Sequence, residues 1–175
     1  MYDVLIFSST NPEAAARTLA SLVEGVVDGM VGRVTVMSAE TSPELLMLGD
    51  ASGCRVEAGV PADKLHARVS ASVGTEHVLA FKAGALMPGG WPQLMRNEMI
   101  TRGKPGTAVA LLFEPPTLVE RIKLILQQMV KGRFPLDHGA LVPREQLLHT
   151  GFDGLTVKVF GPVQMSRLKT SKLGG

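Results

Sequence analysis

The feature that most constrains this chain is an alternation, from residue 2 to residue 113, between short β-rich apolar runs and longer helical patterns. The first pair is the run YDVLIF at residues 2–7 and the segment Pro12–Val27, whose apolar side chains recur at helical spacing behind a proline suited to a first turn. Strands separated by helices of ten or more residues need crossover connections. The sequence therefore predicts an α/β fold of three layers, α/β/α, around a mainly parallel twisted sheet.

The other elements follow from the same periodicity and from turn residues. Further strands are predicted at residues 33–37, 54–58, 77–81, 107–113 and 140–142. A short helix should begin at Pro43, because Ser42 suits an N-cap. Further helices are predicted at residues 62–73, 88–99, 117–130, 144–149 and 163–169.

The length and charge of the chain narrow the possible functions. A chain of 175 residues suits one domain, so we expect a single domain over residues 1–175. The 18 basic and 16 acidic residues nearly balance, and aromatic residues are only 5%, which argues against a nucleic-acid partner.

The single cysteine, Cys54, excludes a disulfide within the chain and a Cys-rich zinc site. Because it falls in an apolar predicted strand, we expect a buried, inert thiol.

The expected location is the cytoplasm. The N-terminus has no basic region before its short apolar run, and no apolar run approaches the roughly 20 residues that span a bilayer. The segment 117–134 is amphipathic and has basic residues at its flanks. It could be an ordinary helix that packs on the core, or a helix that contacts the inner face of the membrane peripherally. The sequence does not indicate an oligomeric state.

Two segments could contribute chemistry at the ends of strands. The phosphate-binding patterns GxGxxG and GxxxxGK[ST] are absent, but the turn SSTNPE after the first strand could bind an anion or only cap a helix. The segment FPLDHGAL contains Asp137 and His138, which suit either loop chemistry or a plain turn. The loop FKAGALMPGGW lies where α/β proteins bind ligands, yet it contains Lys82 and Gly84 and no acid.

The order of these segments resembles a family 2 glycosyltransferase of the GT-A type. VLIFSSTNPEAAARTLASLV resembles the opening strand, the I-P-T-x-N-E turn and the first helix. RVTVMSAETSPE resembles the second strand with its acidic turn, and HVLAFKAGALMPGGWPQLM resembles the fourth strand with its D-x-D metal motif. FPLDHGALVPREQLLHTGFDG and PVQMSRLK resemble the segments that follow the sheet core. The resemblance covers most of the chain and rests on the co-linear order of these short matches.

The resemblance implies a protein that binds a nucleotide-diphospho-sugar. Asp137 and His138 stand where it implies catalytic groups. The nucleotide-sugar-binding positions that it implies are Ser8, Ser9, Asn11, Ser38, Glu40, Lys82 and Gly84.

The departures from the family pattern concern its acids. Lys82 and Gly84 stand at the D-x-D positions, and Gly161 and Pro162 stand at the E-D pair that supplies the catalytic base. Ser38 replaces the acid that contacts the base of the nucleotide. The resemblance therefore implies that the divalent metal of the family is lost, and no metal or other cofactor is predicted.

Two functions are consistent with this pattern. The first is a glycosyltransferase-like enzyme of cell-envelope synthesis, in which Lys82 would replace the metal against the diphosphate and Asp137 or His138 would be the base. The alternative is a catalytically inactive relative that binds a nucleotide, a glycan or a protein.

Overall fold

The structure is a computed structural model that describes residues 1–8, 11–102, 106, 109–111 and 139–150. These residues form one six-stranded sheet with helices on both faces. The strands are β1 (Tyr2–Ser8), β2 (Val31–Ser38), β3 (Arg55–Glu57), β4 (His77–Lys82), β5 (Val109–Ala110) and β6 (Ala140–Pro143). The helices are α1 (Pro12–Val27), α2 (Pro43–Ser52), α3 (Ala62–Ser72), α4 (Trp91–Arg102) and α5 (Arg144–Thr150).

The sheet has the strand order β3-β2-β1-β4-β6-β5. Strands β1 to β4 are parallel to one another, and β6 runs antiparallel to both β4 and β5. The mainly parallel sheet that the sequence predicts is confirmed. The chain lays β2 and β3 on one side of β1 and then returns to place β4 on the other side, so the strand order reverses between β1 and β4.

Alternate residues of the strands face two separate cores, as the pleat of a strand requires. One face, which includes Val4 and Ile6 of β1, is covered by α1, α2 and α4. The other face, which includes Leu5 of β1, is covered by α3 and α5 through Val69 and Leu147. The prediction of three layers, α/β/α, is confirmed.

Most element bounds match the predictions, and the differences have local causes. Helix α4 begins at Trp91 instead of residue 88, because the turn before it has Gly90 at φ 75° and closes with the Trp91 N–H donating to the Pro88 carbonyl at 3.3 Å. Strand β3 is shorter than predicted, and Cys54 precedes it. The thiol is half-buried and its sulfur lies 3.1 Å from the Ser52 hydroxyl oxygen, so the prediction of a thiol buried inside the strand is wrong. The predicted helices at 117–130 and 163–169 lie outside the described residues.

Candidate functional site

The carboxyl ends of β1, β2 and β4 lie side by side at one edge of the sheet. Ser8 pairs with Ser38 across the β1–β2 ladder, and Phe7 pairs with Lys82 across the β1–β4 ladder. In open α/β sheets, ligands bind in the crevice outside the carboxyl ends of the strands, where the strand order reverses. By this rule the crevice is expected between β1 and β4, and the structure places the predicted positions Ser8, Ser38 and Lys82 at that edge of the sheet.

The start of α1 lies at the same edge of the sheet. Asn11 is exposed and caps the helix, with its side-chain oxygen accepting the Ala14 N–H at 3.1 Å. The carboxamide oxygen of Asn11, a predicted nucleotide-binding residue, is thus already used locally. The positive end of the α1 dipole lies at the same edge and favours an anion. Ser9 lies outside the described residues.

The end of β2 is organised around Ser38. This side chain is buried and accepts the Glu40 N–H at 3.2 Å, while the Ser38 carbonyl accepts the Val60 N–H at 3.2 Å. Ser38 therefore shapes the turn after β2 and joins it to the loop after β3. Glu40 follows at the surface, with an exposed side chain.

The end of β4 turns away from the sheet at Gly84. Lys82 is exposed, and the next N–H, that of Ala83, donates to the Phe7 carbonyl at 2.8 Å. Gly84 then adopts φ 99°, a conformation that L side chains rarely adopt. Its N–H donates to Thr18 Oγ1 at 2.8 Å and to the Ala14 carbonyl at 3.1 Å, so this predicted site position is turned toward α1.

The far end of the same loop is also held by α1. The Gly90 N–H donates to both oxygens of the Glu24 carboxylate, at 2.9 and 3.1 Å. Trp91 is fully buried against Gly25 of α1. Sequence reasoning missed Thr18 and Glu24; the available signal for Thr18 was a hydroxyl on the apolar face of a predicted helix.

The predicted catalytic pair, Asp137 and His138, lies outside the described residues. The described chain resumes at Gly139, which has φ 83° and lies so close to Phe81 that a Cβ would overlap its ring. The Gly139 carbonyl accepts the Leu111 N–H at 3.0 Å. Gly139 therefore lies beside β4 near its carboxyl end, at the edge where the crevice opens.

Within the described part of the chain, no three His, Cys, Asp or Glu side chains come together in a way that could hold a metal ion. The same part of the chain contains no helix that is both long and apolar enough to cross a bilayer. The segment 117–134, which the sequence leaves open as a membrane contact, lies outside it.

Comparisons with known proteins identify the fold. No family model and no curated protein matches the sequence. Glucosyl-3-phosphoglycerate synthase from Mycobacterium tuberculosis in complex with UDP is 18% identical at a TM-score of 0.55, over 83% of this chain and 58% of that chain. The same enzyme with Mn2+ and UDP-glucose is 18% identical at 0.55, over 83% and 57%.

A further solved structure, described only as a mycobacterial protein, is 16% identical at a TM-score of 0.55, over 83% of this chain and 54% of that chain. The chain thus spans little more than half the length of these neighbours. Similarity at such low identity concerns the fold, and it agrees with the sheet order and layers described above. The chain has the GT-A fold of nucleotide-sugar glycosyltransferases.

Proposed function

We propose that this glycosyltransferase-like chain binds a nucleoside-diphosphate sugar in the crevice between β1 and β4. The observation that carries the proposal is the strand register, which puts Lys82 beside Phe7 and Ser38 beside Ser8 at the point where the strand order reverses. The solved neighbours with UDP and UDP-glucose support this class of ligand.

Each end of the crevice suits a different part of such a ligand. Lys82 supplies an exposed cationic side chain for the diphosphate, since lysine binds phosphate as a point charge. Asn11 and the start of α1 add the positive end of a helix dipole. Ser38 and Glu40, at the end of β2, flank the nucleoside in this proposal.

In this proposal the loop after β4 holds no metal, although a structure of the neighbouring enzyme contains Mn2+. The lysine ammonium group has donors and no acceptor, so the Lys82 side chain offers no ligand to a cation. Gly84 has no side chain, and Mg2+ and similar hard cations require oxygen ligands. We therefore propose that Lys82 balances the diphosphate charge in place of a metal.

Transfer would also require a base. The acceptor hydroxyl would attack the anomeric carbon, the bond from that carbon to the diphosphate would break, and the nucleoside diphosphate would leave. The base would take the hydroxyl proton, and Asp137 and His138 are the groups we propose for it. A second candidate function, binding without transfer, is favoured by the acid-free loop from Lys82 to Gly84.

Thermal unfolding with UDP, GDP and UDP-glucose, in Mn2+ or in EDTA, tests the proposal. A ligand at 100 times its Kd adds about 2.7 kcal/mol to stability. For a domain of this size we expect one of these ligands to raise Tm by roughly 5–10 °C, equally in EDTA. Lys82→Ala should abolish the shift. Arg144→Ala is the control, because it removes the same charge from an exposed site at the amino edge of the sheet.

The outcomes separate the parts of the proposal. No shift with any nucleotide contradicts binding, and a shift that needs Mn2+ contradicts a metal-free site. An unchanged shift in Lys82→Ala rejects the role of that lysine. UDP release from UDP-sugars then distinguishes transfer from binding: a transferase should lose turnover in Asp137→Asn or His138→Ala and keep its Tm shift.

A further inference from the structure

We propose that Thr18 of α1 is a positioning residue that sets the conformation of the loop between β4 and α4, and through it the placement of Lys82; this inference rests on the proposed function. Thr18 is fully buried, although its side chain is polar. Its hydroxyl accepts the Gly84 N–H at 2.8 Å and donates to the Ala14 carbonyl at 3.2 Å. Both hydrogen-bonding roles of the hydroxyl are therefore occupied.

The hydrogen bond lies next to the proposed ligand site. Gly84 is two residues after Lys82, and its N–H is shared between Thr18 Oγ1 and the Ala14 carbonyl at 3.1 Å. A single turn of α1 thus receives the chain where it leaves the sheet. The direction in which the chain leaves β4 depends on this contact.

Helix α1 can hold the loop because the residues that face it are small. Ala14, Thr18 and Gly25 occur at positions i, i+4 and i+11, which share one face of a helix. Gly84 approaches the first two, and Trp91 packs against the third. Helix α1 therefore contacts the loop at both of its ends.

The loop needs to be held because it is rich in glycine. Gly84, Gly89 and Gly90 allow many backbone conformations, and ordering them only when a ligand binds would cost free energy and weaken affinity. The buried Ala85 and Met87 anchor the middle of the loop in the core. At the end nearest Lys82, the backbone hydrogen bonds of Ala83 and Gly84 are supplemented by one side-chain hydrogen bond, which Thr18 supplies.

Two substitutions at position 18 test whether the hydroxyl matters. Thr18→Val keeps the shape of the side chain and removes the donor and acceptor, so we expect UDP to bind about tenfold more weakly. Amide exchange at residues 83–86 should become about tenfold faster. Thr18→Ser retains the hydroxyl and should restore both values. Ser21→Ala is the control, because the Ser21 hydroxyl donates to the Thr18 carbonyl at 2.7 Å and not to the loop.

Wild-type affinity and exchange in Thr18→Val would overturn the inference, as would a Thr18→Ser variant that behaves like Thr18→Val. If the wild type binds no nucleotide, the proposed function fails by itself. Amide exchange then decides the role of Thr18: faster exchange limited to residues 83–86 supports it, and unchanged exchange rejects it. Thr18→Ala, which leaves space instead of a new methyl group, replaces Thr18→Val if that variant does not fold, with the same expectations.

Discussion

Two glycines in the contact between α1 and the loop after β4 are required for different physical reasons. Gly25 lies in α1, where a Cβ would overlap the ring of Trp91 and a methyl group of Val31. Gly84 has room for a side chain, because the atom nearest to a Cβ at this position would be the Ala14 Cβ, at 3.8 Å. Its φ of 99°, however, is one that L side chains rarely adopt. The first position is limited by space and the second by backbone conformation.

We expect Gly25→Ala and Gly84→Ala to destabilise the protein through these separate mechanisms. Overpacking at residue 25 should lower the free energy of unfolding by about 1–3 kcal/mol, as measured by urea unfolding. Backbone strain at residue 84 should lower it by about the same amount. Trp91→Leu removes the clashing ring, so it should recover part of the loss in a double mutant with Gly25→Ala. The double mutant with Gly84→Ala should be additive. Additive behaviour in both pairs would contradict the steric explanation.

At the scale of elements, capping side chains decide where the helices begin. Ser42 caps α2, with its hydroxyl accepting the Leu45 N–H at 3.3 Å and donating to a Glu44 carboxylate oxygen at 2.6 Å. The hydrogen bond from Ser42 lowers the pKa of Glu44 below its ordinary value of 4.5, and a hydrogen bond from the Glu44 backbone N–H makes a smaller contribution in the same direction. Asn11 caps α1 in the same way. Helix starts were predicted well where such a residue precedes a proline.

Ser42→Ala should cost about 1 kcal/mol of stability at neutral pH, because the N-cap is lost. The pKa of Glu44 should return toward 4.5, as measured by NMR titration. A folded-state pKa below the unfolded value contributes stability at high pH that is lost as the pH falls through it. The cost of Ser42→Ala should therefore be smaller at pH 3 than at pH 7.

Ser52→Ala provides the control for α2. Its hydroxyl donates to the Leu48 carbonyl at 2.7 Å, near the end of the same helix, and to no carboxylate. Its effect on the free energy of unfolding should be the same at both pH values. A pH-independent cost for Ser42→Ala as well would contradict the link to Glu44.

At the scale of the whole molecule, the two edges of the sheet differ in their contacts. At the amino edge, the buried Asp3 carboxylate accepts the N–H groups of Gly74 and Thr75 at 2.6 and 3.0 Å. The Asp3 N–H donates to Thr75 Oγ1 at 3.0 Å. These bonds join β1 to the segment that leads into β4. The carboxyl edge instead presents Lys82 and Glu40 to solvent.

Asp3→Ala should therefore reduce stability without changing ligand affinity. Two backbone N–H groups lose a charged acceptor, and we expect a loss of about 2–4 kcal/mol in urea unfolding. The Kd for UDP, measured where the variant is fully folded, should be unchanged. Lys82→Ala should show the opposite pattern, a weaker Kd with stability within about 0.5 kcal/mol of wild type. A shift in Kd in Asp3→Ala would contradict this division between the edges.

Much of the fold follows from local sequence patterns. The apolar spacing and proline of Pro12–Val27 predicted α1 with its observed bounds, because these signals act within a few turns of chain. Alternating strands and helices predicted a parallel sheet, since parallel neighbours require crossovers. That argument also places Ser38 and Lys82 at one edge, because the carboxyl ends of parallel strands coincide.

The sequence by itself thus determined most of the described elements, the layers and the edge at which we propose that a ligand binds. Only the tertiary structure decided that β6 runs antiparallel to β4. It also decided that Thr18 and Glu24 bind Gly84 and Gly90 of the loop, each 66 positions further along the chain. Periodicity reports which face of an element is buried, but not which distant residue meets it. That depends on how α1 docks on the sheet, and on the small side chains that let the loop approach the helix.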